Sequence, residues 1–99
     1  MNINTIHENG KIIFALEGIL NTETSPQLHD ILIPAFDKAS EVKLDFSQVE
    51  YIYSAGLRVL MIGQKSAIAR GIPMIITNVS EEVMEIFTTS AFDKILTIK

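Results

Sequence analysis

Apolar and polar positions alternate in short blocks along this chain, and the blocks are separated by amphipathic stretches of helical period. Ile3 to His7 and Lys11 to Leu16 follow the two-residue rhythm of half-buried strands. Asn9-Gly10 between them is the pair a tight hairpin needs, because both residues tolerate positive φ. Val42 to Phe46 repeats the strand rhythm. Met74-Ile75-Ile76-Thr77 is a continuous apolar run, which suits a strand covered on both sides. Ile95 to Ile98 reads as a fifth strand, and Gly18 to Thr22 as a loop.

Three helices fill the intervals. Ser25-Pro26 opens the first, with serine as cap and proline at the first helical position, where its missing N–H is harmless. Leu28, Ile31, Leu32, Ala35, Phe36 and Ala39 share one face of it. Pro34 predicts a kink or an early break, since it removes a hydrogen bond and crowds the preceding turn. The second helix runs from Ser54 to Arg70 and is stopped by Gly71 and Pro73. Its apolar residues fall on two flanks. Leu57, Leu60, Met61, Ala67 and Ile68 form the expected core side, and Ala55, Val59, Ile62 and Ala69 the other. Ser80 caps the third helix, with Glu81 and Glu82 matched to its dipole and Val83, Ile86 and Phe87 as its apolar face.

The resulting order, β-β-α-β-α-β-α-β, predicts an α/β fold: a mixed, mostly parallel sheet of about five strands with helices packed on it, in a single domain over residues 1–99. Composition narrows the function. Net charge is −4 with no clustered lysine or arginine, which argues against nucleic acid as a partner. No apolar run approaches the ~20 residues of a membrane span, so no membrane insertion is expected. There is no cysteine, and no signal-peptide pattern at Met1-Asn2-Ile3-Asn4, so a cytoplasmic location is expected. His7 and His29 have no acid or cysteine at ligand spacing and read as surface residues; no metal or cofactor is expected.

The segment Ile52-Tyr53-Ser54-Ala55-Gly56-Leu57 is the candidate site. It sets a hydroxyl where an extended segment turns into a helix, at the carboxyl end of a strand, where α/β sheets collect function. Ser54 is read as the N-cap of the second helix, facing unpaired N–H groups. A phosphate there meets the positive end of the helix dipole. Ala55, Arg58, Val59 and Ile62 are read as a partner-binding patch beside it. An esterase-like nucleophile is a poor fit, because Tyr53-Ser54-Ala55-Gly56 lacks the glycine two positions before the serine. There is no glycine-rich phosphate loop either.

Four stretches in order resemble the STAS domain of bacterial anti-sigma factor antagonists. They are Leu16-Glu17-Gly18-Ile19-Leu20-Asn21-Thr22, Leu44-Asp45-Phe46-Ser47-Gln48-Val49-Glu50-Tyr51-Ile52, Ser54-Ala55-Gly56-Leu57 and Asn78-Val79-Ser80-Glu81-Glu82-Val83. The resemblance implies a non-enzymatic regulatory protein in transcription signalling. Its partners would be an anti-sigma factor that is also a serine kinase, which phosphorylates the serine matching Ser54 and then lets go, and a phosphatase that resets the system. It also adds Asn21, Thr22, Tyr53 and Gly56 to the expected partner-binding residues. The chain departs from the family pattern at Tyr53 and Asn21, where aspartates are usual, and at Arg58, where a small residue is usual. Arginine one turn into the helix can pair with a phosphate or obstruct the family's usual partner. Some STAS-like domains are constitutive subunits, including small partners of transporter ATPases, and the lost carboxylates fit that alternative.

Overall fold

In the computed structural model, which describes residues 1–99, β1 (Asn2–Glu8) and β2 (Lys11–Leu20) form the predicted hairpin. Asn9 and Gly10 take φ of 50° and 80° at its turn. β3 (Glu41–Ile52), β4 (Met74–Thr77) and β5 (Thr97–Ile98) complete one sheet in the order β1-β2-β3-β4-β5. β1 pairs antiparallel to β2, and every other neighbouring pair is parallel. The crossovers are α1 (Ser25–Ala35), α2 (Ser54–Arg70) and α3 (Glu81–Thr89).

The strand rhythm places the core on one face of the sheet. Phe14 and Leu16 of β2, Val42, Leu44 and Phe46 of β3, and Ile76 of β4 are buried in a single cluster with residues of all three helices. Their alternates Ile13, Ala15, Lys43, Asp45, Ile75 and Thr77 remain half-open on the reverse face. A mostly parallel sheet usually carries helices on both faces. Here the reverse face tolerates water because polar residues share it, Lys43 and Asp45 on the central strand and Thr77 on its neighbour.

Several boundaries differ from the sequence expectation. Gly18 to Leu20 are strand, not loop. The pairing of β2 with β3 shifts register between Ala15 and Glu17 and again between Gly18 and Ile19, with Gly18 at φ 117°. Those irregularities break the alternation that marks a strand, yet the chain stays paired as far as Leu20. β3 likewise runs on past Phe46 to Ile52. Ser25 does not cap α1. Thr24 occupies that position, and Ser25 is the first helical residue, buried, with Pro26 next. Pro34 does bring an early end, since α1 stops one residue later. The last strand is only Thr97–Ile98. A 3-10 turn at Phe92–Lys94 takes the preceding residues and leaves Ile95 exposed.

Other signals hold. Gly71 ends α2 in the left-handed conformation at φ 68°. Ser80 Oγ accepts from the Val83 N–H at 3.2 Å, capping α3. Val83 and Phe87 are its buried residues, and the Phe87 ring lies 6.1 Å from that of Phe46.

The buried stripe of α2 is rotated from the expected one. Gly56, Val59, Leu60, Gly63 and Ala67 face inward, whereas Ile68 is 69% exposed. The glycines explain the rotation. A Cβ on Gly56 would stand 2.8 Å from both Ile52 Cγ1 and Leu20 Cβ, and one on Gly63 2.6 Å from Leu32 Cδ2. The helix lies closest to its neighbours along its glycines, and an apolar-residue count does not register glycine.

Alanine is worth about 1 kcal/mol over glycine inside a helix, but at Gly56 the overlap with Leu20 Cβ cannot be relieved by a side-chain swing. Gly56→Ala is expected to lower stability by about 1–3 kcal/mol in urea unfolding; a stabilised variant would contradict the packing. On the reverse face, burial raises the Asp45 carboxyl. Hydrogen bonds from the Asn78 side chain at 3.0 Å and the Ser47 N–H at 2.9 Å, with a further one from the Ser47 side chain, outweigh it and bring Asp45 below the ordinary carboxylate value. A depressed folded-state value adds stability above the unfolded pKa of about 3.9 and loses it as pH falls through the folded value. Asp45→Asn is therefore expected to be less stable than wild type at neutral pH, with a gap that narrows in acid. A pH-independent gap would refute that role.

Candidate functional site

β3 ends at Ile52, and a single residue separates it from α2. That residue, Tyr53, is extended, and its N–H donates to the Leu20 carbonyl at 2.8 Å, tying the turn to the end of β2. Tyr53 occupies the N-cap position, so Ser54 is the first helical residue and not the cap that the sequence suggested. No side chain caps α2 and no acidic residue sits in its first turn. Ser54 is exposed and its hydroxyl makes no hydrogen bond within the chain. The positive end of a 17-residue helix therefore faces solvent beside a free hydroxyl.

A cleft of about 510 Å³ opens here between the starts of α1 and α2. Thr22, Pro26, His29 and Asp30 line one wall; Ser54, Ala55 and Arg58 line the other. Ser25 lies at its base, with Oγ buried and unpartnered. A second cleft, about 320 Å³, lies across Ser54 and is lined by Leu57, Arg58, Met61 and Phe92. Ser54 and Arg58 border both.

Thr22, Ser54, Ala55 and Arg58 are thus brought together. Tyr53 stands beside them, 53% exposed, with its ring 4.9 Å from that of Tyr51. Ile62 is half-buried, two turns on from Ser54. Val59 is only 6% exposed yet still lines the floor of the first cleft, whereas Gly56 is buried on the close-packed side of α2 and lines neither cleft. Asn21 is half-buried and occupied. Its Oδ1 accepts from the N–H groups of Glu23 and Thr24, each at 3.0 Å, while Thr24 Oγ1 donates to the Ile19 carbonyl. This turn shapes the entry to α1.

His29 and Asp30 were unmarked in the sequence but border the cleft. Their placement depends on α1 packing against α2, a long-range contact. Pro26 and His29 share a flank of α1, but Thr22 precedes the helix, and no local spacing reports the contact. His29 Nδ1 lies 3.4 Å from Asp30 Oδ1, but no hydrogen bond joins His29 to Ser54. The serine therefore has no histidine in hydrogen-bond contact with it. No helix is long and apolar enough to cross a membrane, and no cluster of metal-ligating side chains is present.

Comparison with known proteins agrees with this architecture. A protein of Bordetella bronchiseptica, BtrV, whose name assigns it provisionally as an anti-sigma factor antagonist, is 32% identical over 85 residues, covering 85% of this chain and 73% of that protein. Among solved structures, a provisionally named anti-sigma factor antagonist from Thermotoga maritima superposes with a TM-score of 0.88 at 21% identity, covering 97% of this chain and 84% of that one. The antagonist SpoIIAA superposes in its unphosphorylated form with a TM-score of 0.83 at 15% identity, covering 99% of this chain and 88% of that one. The phosphorylated form of SpoIIAA, from Bacillus, gives 0.77 at 14% identity, covering 99% and 91%. At these identities the structures speak to the fold alone. The family model described as the STAS domain matches residues 2–99, and the chain belongs to that family.

Proposed function

We propose that this protein is a non-enzymatic switch, an anti-sigma factor antagonist. In this reading its unmodified form binds an anti-sigma factor that is also a serine kinase, and phosphorylation of Ser54 ends the complex. A phosphatase restores the first state, and all three proteins meet in the cytoplasm. The observation that carries the reading is the free, exposed Ser54 hydroxyl at the uncapped start of α2. It is bordered by half-exposed Ala55, Leu57, Met61 and Ile62, a surface that a partner can cover.

In the modifying step the γ-phosphoryl of ATP passes to Ser54 Oγ. The bond to ADP breaks, and the hydroxyl proton goes to the kinase's base. The product carries about two negative charges at neutral pH. Within the chain the helix dipole tolerates them. Under a bound partner they would have to be desolvated against an apolar surface, which favours release.

A second reading, a constitutive STAS subunit such as a small partner of a transporter ATPase, draws on Tyr53 and Asn21, which stand where the family usually has carboxylates. Under that reading Ser54→Asp leaves partner binding unchanged.

Incubation with the candidate kinase and ATP is expected to add one phosphate by mass spectrometry and none to Ser54→Ala. That variant should stay within about 0.5 kcal/mol of wild-type stability, because the residue is exposed and caps nothing. An unmodified wild type, or a phosphate that persists on Ser54→Ala, rejects the switch.

A further inference from the structure

We propose that a phosphoryl group on Ser54 is held by this chain's own Arg58, over the cleft between α1 and α2, so that the switch operates by changing the partner of Arg58. The inference rests on the reading of Ser54 as the modified residue and adds how the modified state is held.

Arg58 lies four residues after Ser54 on α2, a spacing at which side chains meet on a helix face. Both residues border the two clefts that flank the helix start. Arg58 is exposed and makes no ion pair; the chain's pairs are Lys11–Glu41, His29–Asp30 and Arg70–Asp37. The contrast with Arg70 is informative. At the other end of the same helix, that guanidinium is engaged by Asp37 at 2.7 Å. Arg58 has no such partner: the first turn of α2 has no acid, and Asp30 across the cleft is paired with His29.

The cleft supplies further polar groups. Ser25 Oγ is buried at its base with no hydrogen-bond partner, in a residue only 3% exposed. A buried hydroxyl without a partner in the chain is uncommon, and a phosphate oxygen reaching the base of the cleft would give it one. His29 faces the same space from α1. Asp30 is the opposing charge there, and its Oδ1 is turned to His29 Nδ1 at 3.4 Å.

A guanidinium is a two-pronged donor that matches phosphate oxygens. In the unmodified protein Arg58 is available to a carboxylate on a binding partner. In the modified protein its prongs are taken by the neighbouring phosphate. Phosphorylation then removes an attractive contact in addition to adding a repulsive one.

The test uses the full chain with phosphoserine encoded at position 54 during translation, so it does not depend on any kinase. Phosphorus NMR follows loss of the second phosphate proton, which in an unperturbed phosphoserine occurs near pH ~6. The titratable and charged groups facing the phosphate are Arg58 from α2 and His29 and Asp30 from α1. The clamp predicts that the proton leaves about half a pH unit or more lower in the folded wild type than in Arg58→Ala, with Arg58→Lys in between. Superimposable curves for wild type and Arg58→Ala overturn the proposal. Arg58 is exposed, so neither replacement threatens the fold. A kinase that fails to modify Ser54 would instead defeat the functional reading, whatever the titration shows.

Discussion

The start of α2 sits where it does because residue 56 has no side chain. Gly56 lets the helix backbone settle against Leu20 and Ile52, the last residues of β2 and β3. A Cβ at that point would lie 2.8 Å from atoms of both strands. Tyr53 bridges the same two strand ends by its bond to the Leu20 carbonyl. With the helix pinned there, Ser54 has one place to be, above the carboxyl ends of two parallel strands with its hydroxyl outward. Packing positions the serine, and capping plays no part. Its hydroxyl is therefore spare, whereas that of Ser80 is committed to the Val83 N–H.

One-sided packing sets what lies around that hydroxyl. All three helices contribute to a single core against one sheet face, so α1 and α2 run beside each other and leave a cleft between their starts. The first turn of α2 presents unpaired N–H groups and no compensating acid. Positive potential is concentrated at one spot on a chain whose net charge is −4. An anion attached at Ser54 is favoured by that local field, while the same charge under an apolar partner is costly. In the proposed switch, this difference is what would give a small covalent change its leverage over binding.

Much of this was legible in the sequence, for reasons that are local. The hairpin at Asn9-Gly10, the stop at Gly71 and the cap at Ser80 each depend on a few neighbouring residues. The order of elements followed from alternation and helical period. Three features were not legible. The inward face of α2 eludes a count of apolar residues, although Gly56 and Gly63, small residues on a shared flank, are what close helix packing calls for and are innermost. The far end of β2 was hidden by register shifts that break the alternation. The cleft itself joins Thr22 and His29 to Ser54 and Arg58 through helix packing, which no local pattern reports. Family resemblance indicated the serine, but it did not show that Asn21 is tied up in its own turn or that Val59 lies beneath the patch.

The central claim is that partner binding uses the end of the fold where α1 and α2 begin, and not the bare reverse face of the sheet. Backbone amide NMR of the labelled protein, titrated with the anti-sigma factor, tests this most directly. Binding at the helix starts predicts shifted or broadened resonances at residues 21–30 and 53–62, with little change at Ile6, Ile13 and Ile75. Changes concentrated on those three isoleucines and their strand neighbours, with Ser54 and Arg58 silent, would contradict it.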